Sequence, residues 1–231
     1  MNRPVQAIMN PETTLFYDVD TQRDFLIPGA PLFVAGAQRI LPALEELTAL
    51  ARERGFRIVA SADRHFPGDP ELKRNGGDFD DHCMDGTEGQ RKVDETAPLD
   101  PMFIENRDHA PDELARIIAH RGELVIEKQR FDVFAGNRGA AKLLTELVRR
   151  YPRVVIYGVY TEVCVNDAVR GLLRLGADVT VVSDAIAHIG DDPAPVIEEW
   201  RRAGVSMISL AELRARLKGA GPTPPASARV R

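Results

Sequence analysis

The chain has 231 residues and a mass of 25.5 kDa, and 44% of its residues are apolar, which suffices for one hydrophobic core in one domain. Its 30 basic and 35 acidic residues give a net charge of −5, which argues against binding to the phosphate backbone of nucleic acids. Two cysteines do not make a disulfide framework, so we expect a reducing, cytoplasmic location. No apolar segment approaches the roughly 18 residues of a membrane span, so we expect neither a signal sequence nor membrane insertion.

Short apolar runs alternate with segments of helical periodicity along the chain. The predicted strands cover 14–19, 56–62, 124–127, 153–159, 178–183 and 205–210. The predicted helices cover 37–54, 111–121, 139–151, 164–175, 194–203 and 211–218. This alternation predicts a three-layer α/β/α sandwich with a central, mainly parallel six-stranded sheet of Rossmann-like topology.

Two segments depart from the alternation. The segment 63–110 contains scattered Gly, Pro and Asp and little periodicity, and it is too long for a plain connection. We therefore predict that it is a functional loop region within a single domain spanning 1–218. The segment 219–231 is rich in Gly, Pro, Ala and Ser without an apolar face, which predicts a disordered tail.

Polar residues follow four of the predicted strands, where open α/β sheets bind their ligands. Asp20 follows the first strand, and Asp63 and His65 follow the second. Lys128 follows the third, and Cys164 comes shortly after the fourth. Each of these residues alone has an ordinary explanation: an aspartate can cap a turn or helix, a lysine can be solvated, and a cysteine can be a small buried side chain. Together at one sheet edge they favour a nucleophilic site, because a cysteine nucleophile needs a base and a nearby cation.

The two cysteines differ in their expected surroundings. Cys164 opens a predicted helix, whose unpaired N–H groups and positive dipole end would lower the pKa of the thiol and could hold an oxyanion. Cys83 lies beside His82 in the long loop region, where a structural role is expected.

Asp63, His65 and His82 form a possible metal-binding set, with the flexible pair Gly76 and Gly77 between the two histidines. Aspartate and histidine donors suit zinc, iron or manganese, and three protein ligands leave coordination positions open. An Asp-x-His pair also arises by chance, so the spacing alone leaves the presence of a metal open.

Five motifs, spread over about 15–210, occur in a fixed order that matches one known family. They are the opening run 16–25, the segments 61–65 and 79–89, the lysine strand 126–128, and the nucleophile turn 157–165. These motifs resemble those of the isochorismatase-like cysteine hydrolase superfamily, and of its nicotinamidase (pyrazinamidase) branch in particular.

The resemblance implies a catalytic triad of Asp20, Lys128 and Cys164. Asp20 would take the thiol proton while Lys128 stabilises the charged pair, and Cys164 would attack the carbonyl carbon of an amide. Water activated by the same carboxylate would then hydrolyse the acyl-thioester. The most specific expectation is a nicotinamidase, which converts nicotinamide and water to nicotinate and ammonia and so belongs to NAD salvage.

The resemblance also implies a metal site and a substrate pocket. The ligands of a divalent metal would be Asp63, His65 and His82. Zinc is the expected metal, with iron or manganese as alternatives. The metal would orient a pyridine ring through the ring nitrogen. The peptide between Val159 and Tyr160 would be cis, and the backbone N–H groups of Tyr160 and Cys164 would form an oxyanion hole. The substrate contacts would come from Phe25, Phe79 and Tyr160.

Four residues depart from the family pattern and leave the substrate open. Arg64 stands where the family commonly has an aromatic residue, and Phe66 stands where it has a proline. Phe79 replaces a common tryptophan, and Tyr160 replaces a small residue. One alternative is a related cysteine hydrolase that acts on another small amide, carbamoyl or ureido compound. Another is a catalytically silent binding module on the same fold. The expected partner is a small-molecule amide, without nucleic acid or membrane, in a homo-oligomer by analogy with similar folds.

Overall fold

The computed structural model describes residues 9–218. The tail predicted to be disordered at 219–231 lies outside the described residues. Within the described range, no helix combines the length and the apolar character needed to cross a membrane.

Seven strands form one sheet in the described chain. The strands are β1 (Thr14–Val19), β2 (Arg57–Asp63), β3 (Met102–Ile104), β4 (Leu124–Lys128), β5 (Arg153–Val159), β6 (Asp178–Ala187) and β7 (Ser206–Ile208). Their order across the sheet is β3-β4-β2-β1-β5-β6-β7, and every neighbouring pair is parallel. The predicted α/β class with a parallel sheet is confirmed.

The predicted number of six strands is wrong, because β3 was not anticipated. This strand has three residues and lies at the sheet edge within the long loop region, where it pairs only with β4. Three residues are too few to show an alternating pattern, so the sequence carries no strand signal there. In addition, β6 runs on to Ala187, four residues past the predicted end of that strand.

The described helices flank the sheet and have bounds close to the predicted ones. They are α1 (Arg23–Leu26), α2 (Leu41–Glu53), α3 (Pro111–Ala119), α4 (Val133–Gly136), α5 (Ala140–Arg150), α6 (Asn166–Arg174), α7 (Ala194–Arg202) and α8 (Leu210–Lys218). The short helices α1 and α4 were not predicted, since four residues hold barely one turn of hydrophobic periodicity. The first predicted helix begins as a 3-10 turn at 37–40 before α2.

The core consists of two apolar layers, one on each face of the sheet. In β1, Leu15, Tyr17 and Val19 lie in one layer, together with apolar residues of α5 and α6. Phe16 lies in the opposite layer with Leu44 and other residues of α2. Because β1 is buried on both faces, four of its six residues are apolar, and the polar Thr14 and Asp18 are buried among them.

The order of the strands determines where a ligand can bind. From β1 the chain builds outward on one side through β2 and β4, and later on the other side through β5, β6 and β7. The direction therefore reverses between β1 and β5. In open α/β sheets the cleft beyond the carboxyl ends of the strands at such a reversal is the usual binding site.

The long loop region packs against the ends of these central strands. Gln22 forms an antiparallel bridge with Lys92, and His65 forms a parallel bridge with Met84. The buried Lys92 Nζ lies 3.0 Å from an oxygen of Asp18, which belongs to β1. These contacts bring the loop region over the carboxyl edge of the sheet.

Substituting Gly158 tests how closely β5 must approach β1. Gly158 has a φ of +124°, and a Cβ built on it would lie 2.0 Å from the carbonyl oxygen of Val19. We expect Gly158→Ala to lower the free energy of unfolding by at least about 3 kcal/mol, because both the backbone conformation and the contact are unfavourable. Urea unfolding followed by circular dichroism measures this loss.

Gly176→Ala is the matched control. Gly176 also has a positive φ, +83°, but a Cβ there would meet nothing within 4 Å. We expect this variant to lose only about 1 to 2 kcal/mol, the cost of the left-handed conformation alone. Equal losses in the two variants would contradict a role for the contact with Val19.

Candidate active site

The side chain of Lys128 lies at the centre of the site and is fully buried. Its Nζ lies 2.9 Å from Oδ2 of Asp20 and 3.7 Å from Sγ of Cys164, and it also contacts Oδ1 of Asp63. These groups come from the ends of β1, β2 and β4 and from the turn after β5. The structure therefore brings the residues of the expected triad together, with Asp63 as an additional partner of the lysine.

The chain leaves β1 at Asp20 in an unusual conformation. Asp20 has a φ of +49°, which few residues other than glycine adopt. Its backbone N–H donates to the carbonyl of Ser61 at 3.2 Å, and its carbonyl accepts from the N–H of Gln22 at 2.7 Å. Such conformations persist only where neighbouring contacts hold them, and they are concentrated at functional sites.

Cys164 lies in a π-type turn, Thr161–Val165, that connects β5 to α6. The helix begins two residues after the cysteine rather than at it, and the cysteine is 8% exposed. The carbonyl of Tyr160 accepts hydrogen bonds from the N–H groups of Val163 and Val165 on either side of Cys164. The peptide bond between Val159 and Tyr160 is cis, at the position that the family resemblance implies.

The charges around Cys164 differ from the prediction made from the sequence. Burial raises the pKa of the Cys164 thiol well above its usual range; Lys128 lowers it, whereas Asp20 and Asp63 raise it further. The prediction that a helix end lowers this pKa is therefore wrong, because burial among carboxylates outweighs it. Burial alone would lower the pKa of Lys128, but Asp20 and Asp63 raise it well above its usual value. The resting site thus holds a neutral thiol beside a charged lysine.

The three residues of the possible metal-binding set also meet. The donor atoms of Asp63, His65 and His82 lie within 4.8 Å of one another, and all three residues are buried. Nδ1 of His65 lies 3.1 Å from a carboxylate oxygen of Asp69, and Nδ1 of His82 lies 2.8 Å from the carbonyl of Asp80. Each ring thereby keeps its Nε2 for another partner, which is the usual arrangement of metal-binding histidines.

Glu71 is a fourth candidate ligand, and it was not predicted from the sequence. Its Oε2 lies 3.8 Å from Nε2 of His65, and neither atom has a hydrogen-bond partner among the described residues. Burial, reinforced by the charge of Asp63, raises the pKa of Glu71 to about 7. A divalent cation would satisfy these buried atoms, so the residues present fit such an ion. No signal in the sequence separates this glutamate from the other acidic residues of the loop region.

Aromatic side chains surround His82. The ring centroids of Phe25 and Phe79 lie 5.9 and 6.1 Å from that of His82, and Phe131 packs edge-on against Phe79 at 5.1 Å. The expected contacts Phe25 and Phe79 are thus both placed beside the possible metal site. Tyr160 packs edge-on against Phe25, but its hydroxyl is bonded to backbone groups.

Gln22 holds the backbone of Asp63 in place. Its Nε2 donates to the carbonyls of Asp63 and Gln90, both at 2.7 Å, and its Oε1 accepts from the N–H of Asp63 at 2.7 Å. This fully buried side chain was not predicted to belong to the site, because its position in a turn is also explained by a hydrogen bond within that turn. The contacts join the end of β2 to the turn after β1.

Arg64, which stands between the possible ligands Asp63 and His65, makes ion pairs elsewhere. Its guanidinium lies 2.7 Å from a carboxylate oxygen of Asp85 and 2.8 Å from one of Glu127. The departure from the family pattern at this position is therefore accommodated by ion pairs that link the loop region to β4.

The comparisons with known proteins agree with this geometry. The family model described as the Isochorismatase domain matches residues 106–212, a stretch that contains the lysine and the cysteine of the expected triad. A nicotinamidase from Escherichia coli (strain K12) is 24% identical over 214 residues, which are 84% of this chain and 93% of that protein.

Solved structures share the fold over most of this chain. A pyrazinamidase from Pyrococcus horikoshii, in complex with zinc, is 26% identical with a TM-score of 0.67, over 85% of this chain and 99% of that one. An N-carbamoylsarcosine amidase from Thermoplasma acidophilum is 23% identical with a TM-score of 0.64, over 85% of this chain and 96% of that one. At that identity the second likeness concerns the fold alone.

The family model and these relatives support placing the chain in the isochorismatase-like superfamily and indicate an amide-hydrolysing enzyme. Within that superfamily its curated relative and its structural neighbours support the nicotinamidase branch. The resemblance noted in the sequence is thereby confirmed.

Replacing Glu71 tests its contribution to metal binding. Because its carboxylate lies beside Nε2 of His65, we expect Glu71→Gln to weaken zinc binding by about 10- to 100-fold, as loss of such a contact commonly does. Competition with a chromogenic chelator measures the affinity. Glu88→Gln, which removes an exposed carboxylate of the same loop region, is the control. Unchanged affinity in Glu71→Gln would exclude the glutamate from the site.

Proposed function

We propose that the chain is a metal-dependent cysteine amidohydrolase that converts nicotinamide and water to nicotinate and ammonia. The observation that carries this proposal is that the residues of the expected triad and those of the possible metal-binding set meet at one edge of the sheet. Cys164 and Asp20 lie around the buried Lys128, which also contacts Asp63, a member of the possible metal-binding set. The nicotinamidase and pyrazinamidase relatives support nicotinamide as the substrate.

The first step is the transfer of a proton from Cys164 to Asp20. The thiol is neutral at rest, so it must lose its proton before it can act as a nucleophile. The side-chain donor atoms of Asp20 and Cys164 lie within 4.8 Å of each other, and Oδ1 of Asp20 has no hydrogen-bond partner in the described chain. Asp20 is therefore the base, and the charge of Lys128 stabilises the thiolate that forms.

The second step forms and then breaks bonds at the amide carbon. The thiolate of Cys164 attacks this carbon, and the electron pair of the C=O bond moves to the oxygen, which the N–H groups of Tyr160 and Cys164 would stabilise. The C–N bond then breaks, and the protonated Asp20 gives its proton to the nitrogen, which leaves as ammonia. An acyl-thioester remains.

The third step hydrolyses the thioester. The carboxylate of Asp20 takes a proton from water as the oxygen attacks the acyl carbon, and the C–S bond breaks to release nicotinate. The proton on Asp20 returns to the sulfur of Cys164. The carboxyl group of Asp20 thus acts as base and acid in each half-reaction, while Lys128 remains charged.

The metal-binding residues would hold the ring of the substrate. Asp63, His65, His82 and Glu71 would bind the divalent ion, and zinc is the proposed metal. The bound ion would supply a Lewis acid for a heteroaromatic nitrogen. Phe25 and Phe79 lie beside His82 and would pack against the same ring. A cytoplasmic location, a homo-oligomeric state and a role in NAD salvage complete the proposal.

A second candidate function keeps the same chemistry with another substrate. The fold is shared with an N-carbamoylsarcosine amidase, and the residues that depart from the family pattern line or adjoin the site. A small carbamoyl, ureido or other amide compound is therefore the alternative substrate class.

Ammonia release from nicotinamide tests the proposal directly. We expect turnover by the zinc-loaded protein, and we expect Cys164→Ala to lower kcat by about 10³-fold or more, because the nucleophile is lost. Removal of the metal with a chelator should raise KM strongly, and added zinc should restore it. Cys83→Ala is the matched control, and we expect its kcat to stay within about threefold of that of the parent protein.

Two outcomes would contradict the proposal. Full activity of Cys164→Ala would exclude the thioester route. A protein that binds zinc and reacts at Cys164 with iodoacetamide, yet releases no ammonia from nicotinamide, would exclude nicotinamide and favour the carbamoyl and ureido substrates.

The role of Asp20 can be tested against a neighbouring aspartate. We expect Asp20→Asn to lower kcat/KM by about 10² to 10⁴-fold, because an amide cannot accept the thiol proton. Asp24 instead accepts a hydrogen bond from the N–H of Cys83 at 2.6 Å, a contact that an asparagine oxygen can retain. Asp24→Asn should therefore lose less than about tenfold. Similar losses in the two variants would argue that Asp20 is not the base.

A further inference from the structure

The hydroxyl of Tyr160 is bonded to three backbone groups, one in α1 and two in the loop that follows this helix. Its oxygen lies 2.6 and 2.8 Å from the carbonyl oxygens of Phe25 and Leu32, between which it shares its one proton, and it accepts from the N–H of Val34 at 3.2 Å. The tyrosine is only 4% exposed. Because burial raises the pKa of this phenol, it keeps its proton and remains a donor.

The loop that it holds, 27–34, follows α1 and lies at the surface. Its residues are partly buried or exposed, and Ile27, Leu32, Phe33 and Val34 pack on the core only in part. The N–H of Leu32 donates to the carbonyl of Asp24 in α1 at 3.2 Å, which ties the loop back to the helix that precedes it. The tyrosine hydroxyl lies beside this contact and is bonded to both α1 and the loop.

The same residue is part of the turn that carries the nucleophile. The carbonyl of Tyr160 accepts hydrogen bonds from Val163 and Val165, at 3.0 and 3.2 Å, on the two sides of Cys164. Its ring packs edge-on against Phe25, whose own ring lies 5.9 Å from that of His82. Tyr160 therefore connects the nucleophile turn, loop 27–34 and one aromatic wall of the possible ring-binding site.

We propose that Tyr160 is a positioning residue that sets the affinity for aromatic amides, because its hydroxyl fastens Phe25 and loop 27–34 against the nucleophile turn. The inference deepens the proposed function and rests on it for the nature of the substrate. The hydroxyl takes no part in bond making, since its hydrogen-bonding capacity is used by the loop. Its loss should thus affect substrate binding more than the chemical steps.

Tyr160→Phe removes the hydroxyl and keeps the ring. We expect KM for nicotinamide to rise about fivefold, the equivalent of one hydrogen bond, while kcat changes less than about twofold. Tyr157→Phe is the matched control, since Tyr157 is equally buried in β5 and no hydrogen bond joins its hydroxyl to the loop in the described chain. Unchanged KM in Tyr160→Phe, or an equal change in the control, would overturn the inference.

Hydrogen exchange tests the tether without any turnover. In the parent protein the N–H of Val34 should exchange more slowly than that of Gly29, and in Tyr160→Phe the whole of loop 27–34 should exchange about fivefold faster. Unchanged exchange would overturn the inference, and so would faster exchange with unchanged KM.

A third measurement separates the inference from the proposed function. If nicotinamide is not turned over, the rate of Cys164 alkylation by N-phenyliodoacetamide, relative to that by iodoacetamide, still reports on the aromatic wall. This ratio should fall about fivefold in Tyr160→Phe and stay unchanged in Tyr157→Phe. An unchanged ratio in both variants would contradict the role of Tyr160 whatever the natural substrate is.

Discussion

The buried ammonium group of Lys128 is the interaction on which the site depends. It faces Asp20 and Asp63 at once, and without it two carboxylates would lie in the interior with no cation of this chain between them. Burying a charge is costly unless a partner compensates it, so the lysine and the two acids can be buried only together. The same charge stabilises the thiolate of Cys164, so the structural and the chemical requirements on this residue coincide.

The sheet and the catalytic edge were predictable from the sequence for a physical reason. Buried parallel strands are mostly apolar, and a polar residue at or just past the carboxyl end of such a strand stands out, as Lys128 and Asp20 do. Elements of three or four residues, such as β3 and α1, were not predictable, because their formation depends on partners distant in sequence rather than on their own periodicity.

The parts of the site that were missed depend on distances that a sequence does not contain. In the sequence, Glu71 does not differ from other glutamates of a polar loop, and only the structure shows its carboxylate beside His65. In the same way, only the structure shows that the side-chain amide of Gln22 binds the backbone of Asp63. The pKa of Cys164 was predicted in the wrong direction, because the number of carboxylates around the thiol and the depth of its burial follow from tertiary structure alone.

The parallel pairing of β2 with β4 places Asp63 directly opposite Lys128. Side chains alternate between the two faces of a sheet, so a slip of one residue between these strands would move the lysine to the other face and bury its charge among apolar groups. Other pairs along these strands, such as Ser61 and Ile126, carry no charge whose burial would make a slipped alignment unfavourable. The reactive groups are therefore also what distinguishes the correct strand alignment from its nearest competitors while the sheet assembles.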